Sequence, residues 1–424
     1  MDFLETLSWR GMIHSQTPGL ENALKSGMMT GYIGFDPTAP SLTIGNYVQI
    51  MLLKHFQLNG HKPIVLMGGA TGRIGDPSGK DKERELKTEE ELDHNLKFQQ
   101  EQFSKCLDFS TAPHAAIFEN NFNFYKDLNV LDFLRQVGKH LTVNYMMSKD
   151  SVQNRLETGI SFTEFSYQLL QAYDYYCLYK KYGCSLQMGG SDQWGNITAG
   201  TEYIRRNTKD VEVHALTSPL LTKSDGKKFG KSEEGNIWLD PNLTSPYKFY
   251  QFWINADDQD LSKFLRIFSL KDRHEIEAME IEMISNPQIV KKSLAEELTK
   301  RIHSDQAHDS AMKVSELLFN PRVNADFLHG LSQDQFNVIS GELQTYTLEQ
   351  AQLEDLKIIQ LLAGLTPICA SNSEARKAIQ NQAISINKVK VTDIEHAIHS
   401  DQYIHDQWLL VENGKKNKFL VKKV

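Results

Sequence analysis

Tyr32-Ile33-Gly34-Phe35-Asp36-Pro37-Thr38-Ala39-Pro40-Ser41-Leu42-Thr43-Ile44-Gly45-Asn46 is the stretch from which the fold can be read. Residues 29–36 form a short apolar run of strand size, which Pro37 and Pro40 stop. Small polar residues then lead into a helical pattern over Ile44–Leu58. The same order recurs downstream, where residues 63–69 are strand-like, glycines follow, and residues 89–106 are helical. Strand, glycine-rich turn and helix in repetition predict parallel βαβ units, a Rossmann-type α/β domain whose ligand sits at the carboxyl ends of the strands. Gly45 removes a side chain where a flat ligand would press on backbone, and the helix start offers free N–H groups to a phosphate. Taken alone, the segment fits a capped βα turn without ligand equally well.

Working outward, residues 127–141 and Phe162–Tyr182 read as amphipathic helices, and residues 185–188 as a further strand closed by Gly189 and Gly190. A polar loop follows over residues 220–234. Helical periodicity with charged faces occupies residues 246–320, and a mixed polar stretch to residue 356 reads as a linker. The end, 357–424, reads as a small α/β module, helical at 373–380 and strand-like at 383–391 and 408–412.

At 424 residues the chain is too long for one core, so two or three domains are expected. A content of 40% hydrophobic and 24% charged residues excludes collagen-like, disordered and coiled-coil classes. No apolar run reaches the roughly 18 residues of a membrane span, and residues 1–10 lack the apolar region of a signal peptide. Cys106, Cys177, Cys184 and Cys369 form no Cys-x-x-Cys pair, so neither bound zinc nor a disulfide framework is expected, and the compartment reads as cytoplasmic. The net charge of −8 argues against nucleic-acid binding by the whole surface. The C-terminal end is nevertheless basic, with five lysines and no acid in the last ten residues. A locally docked polyanion or a solubilising tail accounts for it.

Four clusters carry chemistry. Besides the opening stretch, Gly68-Gly69-Ala70-Thr71-Gly72-Arg73-Ile74-Gly75-Asp76-Pro77-Ser78-Gly79-Lys80 is a glycine-rich turn after a strand. It is no P-loop, because Ile74 and Asp81 stand where that motif needs Gly and Ser/Thr, but Lys80 and Arg84 still suit phosphate recognition. Tyr167, Gln171 and Asp174 share one helical face amid strongly apolar neighbours, so they need partners such as a ligand ammonium or hydroxyl. Asp192, between glycines at a strand end, is placed to accept from a ribose hydroxyl. Lys227-Lys228-Phe229-Gly230-Lys231-Ser232 puts three lysines on a glycine hinge, able to neutralise a polyphosphate; alone, such a run is commonly a solvated loop.

Together these pieces resemble a class I aminoacyl-tRNA synthetase of the bacterial tyrosyl branch. Thr43-Ile44-Gly45-Asn46 stands for the family's first signature and Lys228-Phe229-Gly230-Lys231-Ser232 for its second. The tyrosyl branch is marked by Gly34-Phe35-Asp36-Pro37-Thr38, Gly75-Asp76-Pro77-Ser78-Gly79-Lys80, Tyr167-x-x-x-Gln171-x-x-Asp174 and Gly190-Ser191-Asp192-Gln193-Trp194-Gly195-Asn196. Ser371-x-Ser373-Glu374-Ala375-Arg376 with Ile386-Asn387 resembles an S4-type RNA-binding module. Tryptophanyl-tRNA synthetases and pantothenate synthetase share part of this pattern but not the terminal module. An RNA-binding protein on a synthetase frame would rest on Thr43 alone.

The resemblance implies roles. Tyr32 and Asp174 would bind a tyrosine phenol, Asp76, Tyr167 and Gln171 its ammonium, and Gln193 its carboxylate, with Gln187 in the same pocket. Gly34, Asp36, Gly45, Gly190, Asp192 and Lys231 would hold ATP. Thr38, Thr43, Asn46, Lys80, Arg84, Lys228 and Lys231 would act on the phosphates. Arg376, Lys377, Lys388 and Lys390 would contact tRNA. Implied partners are L-tyrosine, ATP with Mg2+, tRNA and a second copy of the chain, with no membrane. The implied domains are a catalytic domain at 1–222 with a dimerisation segment at 121–153, the lysine loop at 223–245, a tRNA anticodon-side helical domain at 246–320, a linker at 321–356 and the S4-like domain at 357–424. Thr43 and Asn46 replace the usual two histidines and Ile33 replaces a usual cysteine; Thr43 implies slow or compensated activation.

Overall fold

A computed structural model describes the chain apart from residues 79–86, 157–158, 228, 233–234, 354 and 415–416 and the side chains of residues 154, 156, 231 and 232. The chain forms two compact units, residues 1–244 with 251–303, and residues 245–250 with 304–424.

In chain order the first unit carries β1 (Ser15–Gln16), β2 (Thr30–Phe35), α1 (Ile44–Leu58), β3 (Lys62–Met67), α2 (Glu89–Ser104), β4 (Ile117–Asn120), α3 (Phe162–Tyr182), β5 (Leu186–Gly190), α4 (Trp194–Asn207) and β6 (His214–Ser218). A small hairpin, β7 (Lys231–Ser232) and β8 (Gly235–Asn236), follows, then the end of α5 (Pro246–Ile254), α6 (Asp258–Phe268), α7 (Arg273–Ser285) and α8 (Pro287–Ile302). The main sheet has the order β1-β6-β5-β2-β3-β4, parallel throughout except for β1 against β6. Strand order reverses between β2 and β5, and at such a switch a crevice opens at the carboxyl edge. β3 is buried from Pro63 to Met67, as a strand covered on both faces must be.

The helix predicted over residues 127–141 is broken. One turn, Val130–Phe133, runs into a π-turn, Leu134–Gly138, and Val137 alone there is buried. The four cysteines are free. Among the described residues no helix is long and apolar enough to cross a membrane.

The second unit contains α9 (Asp305–Phe319), α10 (Gln333–Glu342), β9 (Gln344–Leu348), α11 (Asn372–Gln380), β10 (Ile384–Ile386), β11 (Val389–Lys390), β12 (Trp408–Asn413) and β13 (Asn417–Lys423). Its sheet runs β11-β10-β12-β13-β9. The stretch read as a linker contains α10 and β9. Along β12 the side chains alternate, Trp408 and Leu410 entering one core with Phe336 and Leu317, and Leu409 and Val411 another with Ile384 and Ile379. Both faces of this sheet therefore need a cover, and α9 and α10 supply one of them. The residues read as one helical domain are likewise divided, α6 to α8 belonging to the first unit and α9 to the second.

The basic end is not a free tail. β13 lies between β12 and β9, Lys418 Nζ donates to the Leu317 and Leu318 carbonyls at 2.7 and 2.9 Å, and Lys423 pairs with Asp406 at 2.8 Å. Lys415 and Lys416 lie outside the described residues.

Candidate active site

The carboxyl ends of β2, β3, β4 and β5 surround a cleft of about 300 Å³. Register sets its floor, because Tyr32 on β2 is paired with Gln187 on β5, and α3 packs Tyr175 and Leu178 over Tyr32. The Tyr32 hydroxyl and Gln187 Oε1 are buried and have no hydrogen-bond partner. Burial, followed by the neighbouring Asp174, pushes the Tyr32 phenol well above its usual range. Such orphaned polar atoms on a cleft wall are costly unless a ligand supplies the missing bond.

The spacing of Tyr167, Gln171 and Asp174 on α3 brings all three to the cleft. A polar chain then crosses it. Tyr167 donates to Asp36 Oδ2 at 2.9 Å, Thr71 Oγ1 to Asp36 Oδ1 at 2.6 Å, and Asn121 Nδ2 to Thr71 Oγ1 at 2.9 Å and Asp174 Oδ2 at 3.0 Å. The Tyr125 hydroxyl lies 2.7 Å from Asp174 Oδ1 and 2.8 Å from the Leu170 carbonyl. Gly68 makes the chain possible, since a Cβ there would sit 2.1 Å from Asp36 Oδ1. Burial pushes the Asp174 carboxyl up to about 7 against the pull of Asn121 and Tyr125, with Asp36 adding to the rise.

Asp76 forms a second station. Gln193 Nε2 donates to its Oδ2 at 2.6 Å, and Asn196 Nδ2 and the Ser78 amide donate to its Oδ1 at 3.3 and 2.9 Å. Two amides and a backbone N–H thus orient a nearly buried carboxylate at the cleft wall. Gly34 on β2 with Asp36 and Thr38 after it, Gly45 and Asn46 on α1, and Gly190 at the end of β5 with Asp192 and Gln193 after it complete the wall.

Thr43 does not line the cleft. It is the N-cap of α1, accepting from the Asn46 amide at 3.3 Å and donating from Oγ1 to Asn46 Oδ1 at 2.8 Å, while the Thr43 amide donates to the same oxygen at 2.9 Å. This capping box explains why a short hydroxyl residue precedes an asparagine by three. It also corrects the expectation of a freely donating helix start. The Asn46 amide is taken by Thr43 and the Ile44 amide by the Ile237 carbonyl at 3.0 Å, which leaves Gly45 N–H as the first-turn donor open to a phosphate among the described residues.

Lys80, Arg84 and Lys228 lie outside the described residues, as does the Lys231 side chain, whose backbone begins β7. In the second unit Arg376, Lys377 and Lys390 are exposed. Lys388 is not, because its ammonium is 2.7 Å from Glu412 and its side chain is 5% exposed, so an RNA contact by this lysine conflicts with the structure. With Asn387 it forms a two-residue turn at positive φ between β10 and β11, and Asn387 is itself buried and bonded to Leu410 and Gln402.

Asn121, Tyr125 and Thr71 were missed as site residues. Asn121 follows β4 directly, as Asp36 follows β2, so recognising β4 would have drawn attention to it. Tyr125 carried no signal in the sequence.

Residues 25–320 match the family of tRNA synthetases class I (W and Y), and residues 337–421 match the tyrosine–tRNA ligase SYY-like C-terminal domain. The chain is 51% identical to a tyrosine–tRNA ligase of Amoebophilus asiaticus and 49% identical to one of Cytophaga hutchinsonii, each over 99% of both chains. Its fold is similar to a C-terminally truncated mitochondrial tyrosyl-tRNA synthetase of Aspergillus nidulans, with a TM-score of 0.67 and 29% identity over 75% of this chain and 94% of that one. The chain belongs to the class I tRNA synthetases, in the tyrosine–tRNA ligase family.

Proposed function

We propose that the chain activates L-tyrosine with Mg–ATP, giving tyrosyl-adenylate and pyrophosphate, and then transfers tyrosine to the terminal ribose of its tRNA. The observation that carries this reading is the pairing, on one cleft wall, of an orphaned phenol hydroxyl with a neutral-leaning buried carboxyl, Tyr32 and Asp174, while Asp76 stands among amide donors that hold its two oxygens. The first pair suits a ligand hydroxyl that both accepts and donates, and the second suits an ammonium.

In this reading Tyr32 donates to the phenol oxygen and Asp174 accepts from it, Asp76, Tyr167 and Gln171 hold the ammonium, and Gln193 and Gln187 bound the carboxylate end. That carboxylate attacks the α-phosphorus in line. No side chain acts as nucleophile; orientation and charge neutralisation do the catalysis. Asp192 and the backbone at Gly34, Asp36, Gly45 and Gly190 hold the nucleotide. Thr38, Asn46, Lys80, Arg84, Lys228 and Lys231 meet the phosphates, while Thr43 contributes by holding Asn46. Tyrosine-dependent ATP–pyrophosphate exchange tests the reading. Exchange with tyrosine, and none with phenylalanine or tryptophan, is expected; a folded protein inactive with all three overturns it.

The second unit would hold tRNA through Arg376, Lys377 and Lys390, and the enzyme would work in the cytoplasm as a homodimer. Support for the dimer is the apolar exposure in the 121–153 segment, where Val130 and Leu131 are 72% and 77% exposed and Val143 and Leu134 also face outward. Exposed apolar side chains gathered in one segment favour an interface there. Leu131→Glu is expected to convert the dimer to monomer in sedimentation velocity; an unchanged sedimentation coefficient would place the interface elsewhere.

A further inference from the structure

The loop that contains Lys228 and Lys231 is anchored by Phe229, one of the two residues between them. Phe229 is 7% exposed, although nearly all its neighbours from Thr222 to Lys227 are polar. Its ring meets four others, Phe252 and Trp253 at the end of α5 and Phe264 and Phe268 on α6, with centroids 5.9, 6.0, 5.1 and 5.3 Å away. The socket continues into the other half of the phosphate region. Phe268 stacks at 5.5 Å on Tyr47, the residue after Asn46 on α1. Arg301 on α8 ties the two together, donating to the Tyr47 hydroxyl at 2.9 Å and the Phe268 carbonyl at 2.7 Å, and is itself held by Glu297.

The backbone reports the same join. Ile237 N–H donates to the Gly230 carbonyl at 3.0 Å, and Ile44 N–H to the Ile237 carbonyl at 3.0 Å. Gly230 has φ +89°, and a Cβ on it would lie 3.2 Å from the Gly45 nitrogen. Loop and helix start therefore touch through glycine backbone and the Ile44 side chain, and the Ile237 hydrogen bonds tie them together. The aromatic stack Phe229–Phe268–Tyr47 buttresses this contact from behind.

We propose that Phe229, backed by Tyr47 and Arg301, is a positioning residue for adenylate formation. Its burial sets where the lysine-bearing loop meets the start of α1, and so aligns the two groups of phosphate-binding residues. The inference rests on the proposed adenylating reading. A misplacement of about 1 Å between reacting groups costs about a hundredfold in rate. Tyrosine binding depends on a separate network, the chain from Tyr167 to Asp174, which Phe229 does not touch.

Phe229→Ala, Phe229→Met and Tyr47→Phe would be compared with the wild-type chain by single-turnover adenylate formation at varied ATP and by equilibrium tyrosine binding. Phe229→Ala is expected to slow adenylate formation about 30- to 100-fold with weaker ATP dependence, while the tyrosine dissociation constant stays within about twofold. Phe229→Met should recover the rate to within about threefold, since an unbranched thioether fills an aromatic socket. Tyr47→Phe keeps the stack, loses the Arg301 bond and should fall between them. A normal rate for Phe229→Ala overturns the inference, as does a parallel loss of tyrosine binding, which would make Phe229 a plain core residue. Should Phe229→Ala not fold, an unaltered Tyr47→Phe joined to a slow Phe229→Met overturns it equally. A wild-type chain without tyrosine-dependent exchange would instead overturn the adenylating reading on which the inference stands.

Discussion

Asp174→Ala is expected to lower kcat/KM for tyrosine in pyrophosphate exchange by about a thousandfold, the equivalent of about 4 kcal/mol. The carboxyl is 2% exposed and accepts from Asn121 on one oxygen, with Tyr125 on the other. Truncation leaves both of those groups unpaired in an apolar surround and takes away the acceptor for the ligand hydroxyl, and breaking a buried charged contact from one side costs about 3–5 kcal/mol. Asp174→Asn should lose less, because the amide can still accept from Asn121 and donate to Tyr125. If Asp174→Ala kept activity within tenfold of wild type, the phenol would have to bind elsewhere.

The same carboxyl predicts a pH dependence. The Tyr125 hydroxyl has one proton and two acceptors within reach, Asp174 Oδ1 and the Leu170 carbonyl. A neutral Asp174 resolves this by donating to Tyr125, which donates onward to Leu170. That arrangement agrees with a carboxyl pushed up to about 7 by burial. A phenol that donates to Asp174 is held more tightly by the ionised form than by a neutral carboxyl, a weaker acceptor, so tyrosine affinity should fall as pH drops below about 7 and should stay flat in Asp174→Asn. For stability the sign is opposite. The folded state binds this proton more tightly than the unfolded chain, whose carboxyl has its ordinary value of 3.8. The group's favourable contribution is thus full below about pH 4, declines as pH rises toward 7 and is absent above it. The shift of about three units corresponds to about 4 kcal/mol. Asp174→Asn should therefore melt higher than wild type at pH 8, with the difference vanishing below about pH 4.

Local chemistry was legible in the sequence wherever the deciding residues were neighbours along the chain. Strand β2 with its proline stop, the α1 pattern and the one-sided spacing of Tyr167, Gln171 and Asp174 depend only on sequence period, and the structure places those side chains on one cleft. Tyr125 depends on a different fact, the fold of a segment whose helix is interrupted, and no periodicity reveals that its hydroxyl reaches Asp174. Thr43 shows the converse error. Against a family signature it looked like a lost phosphate donor, whereas Thr-x-x-Asn is a capping pair whose meaning is local. The lysines of β13 misled because charge counts ignore alternation. Read with period two, 417–423 places Phe419 and Val421 on the face opposite Lys418, Leu420 and Lys422, and those lysines find carbonyls and the Trp408 ring as partners. The stretch around β9 looked like a linker because an edge strand needs few apolar residues.

Asp76 should decide recognition at the other end of the substrate. In wild type its two oxygens already accept from Gln193, Asn196 and the Ser78 amide, so the carboxylate is held in place before any ligand arrives. Asp76→Asn preserves shape but turns one acceptor into a donor aimed at Gln193 Nε2 or Asn196 Nδ2. Those amides can invert only in concert, because Gln193 Oε1 itself accepts from Asn196 at 3.3 Å. The variant should fold, and should weaken tyrosine binding about a hundredfold, the scale of about 3 kcal/mol for a hydrogen bond to a charged group. The decisive comparison uses 3-(4-hydroxyphenyl)propionate, which keeps the phenol and carboxylate and lacks the ammonium. Wild type should prefer tyrosine to this analogue by about two orders of magnitude, and Asp76→Asn should bind the two almost alike. If the variant weakened both ligands equally, Asp76 would be shaping the cleft through Gln193 and Asn196 and the ammonium would have another partner, for which Tyr167 and Gln171 on the facing helix are the residues to change next.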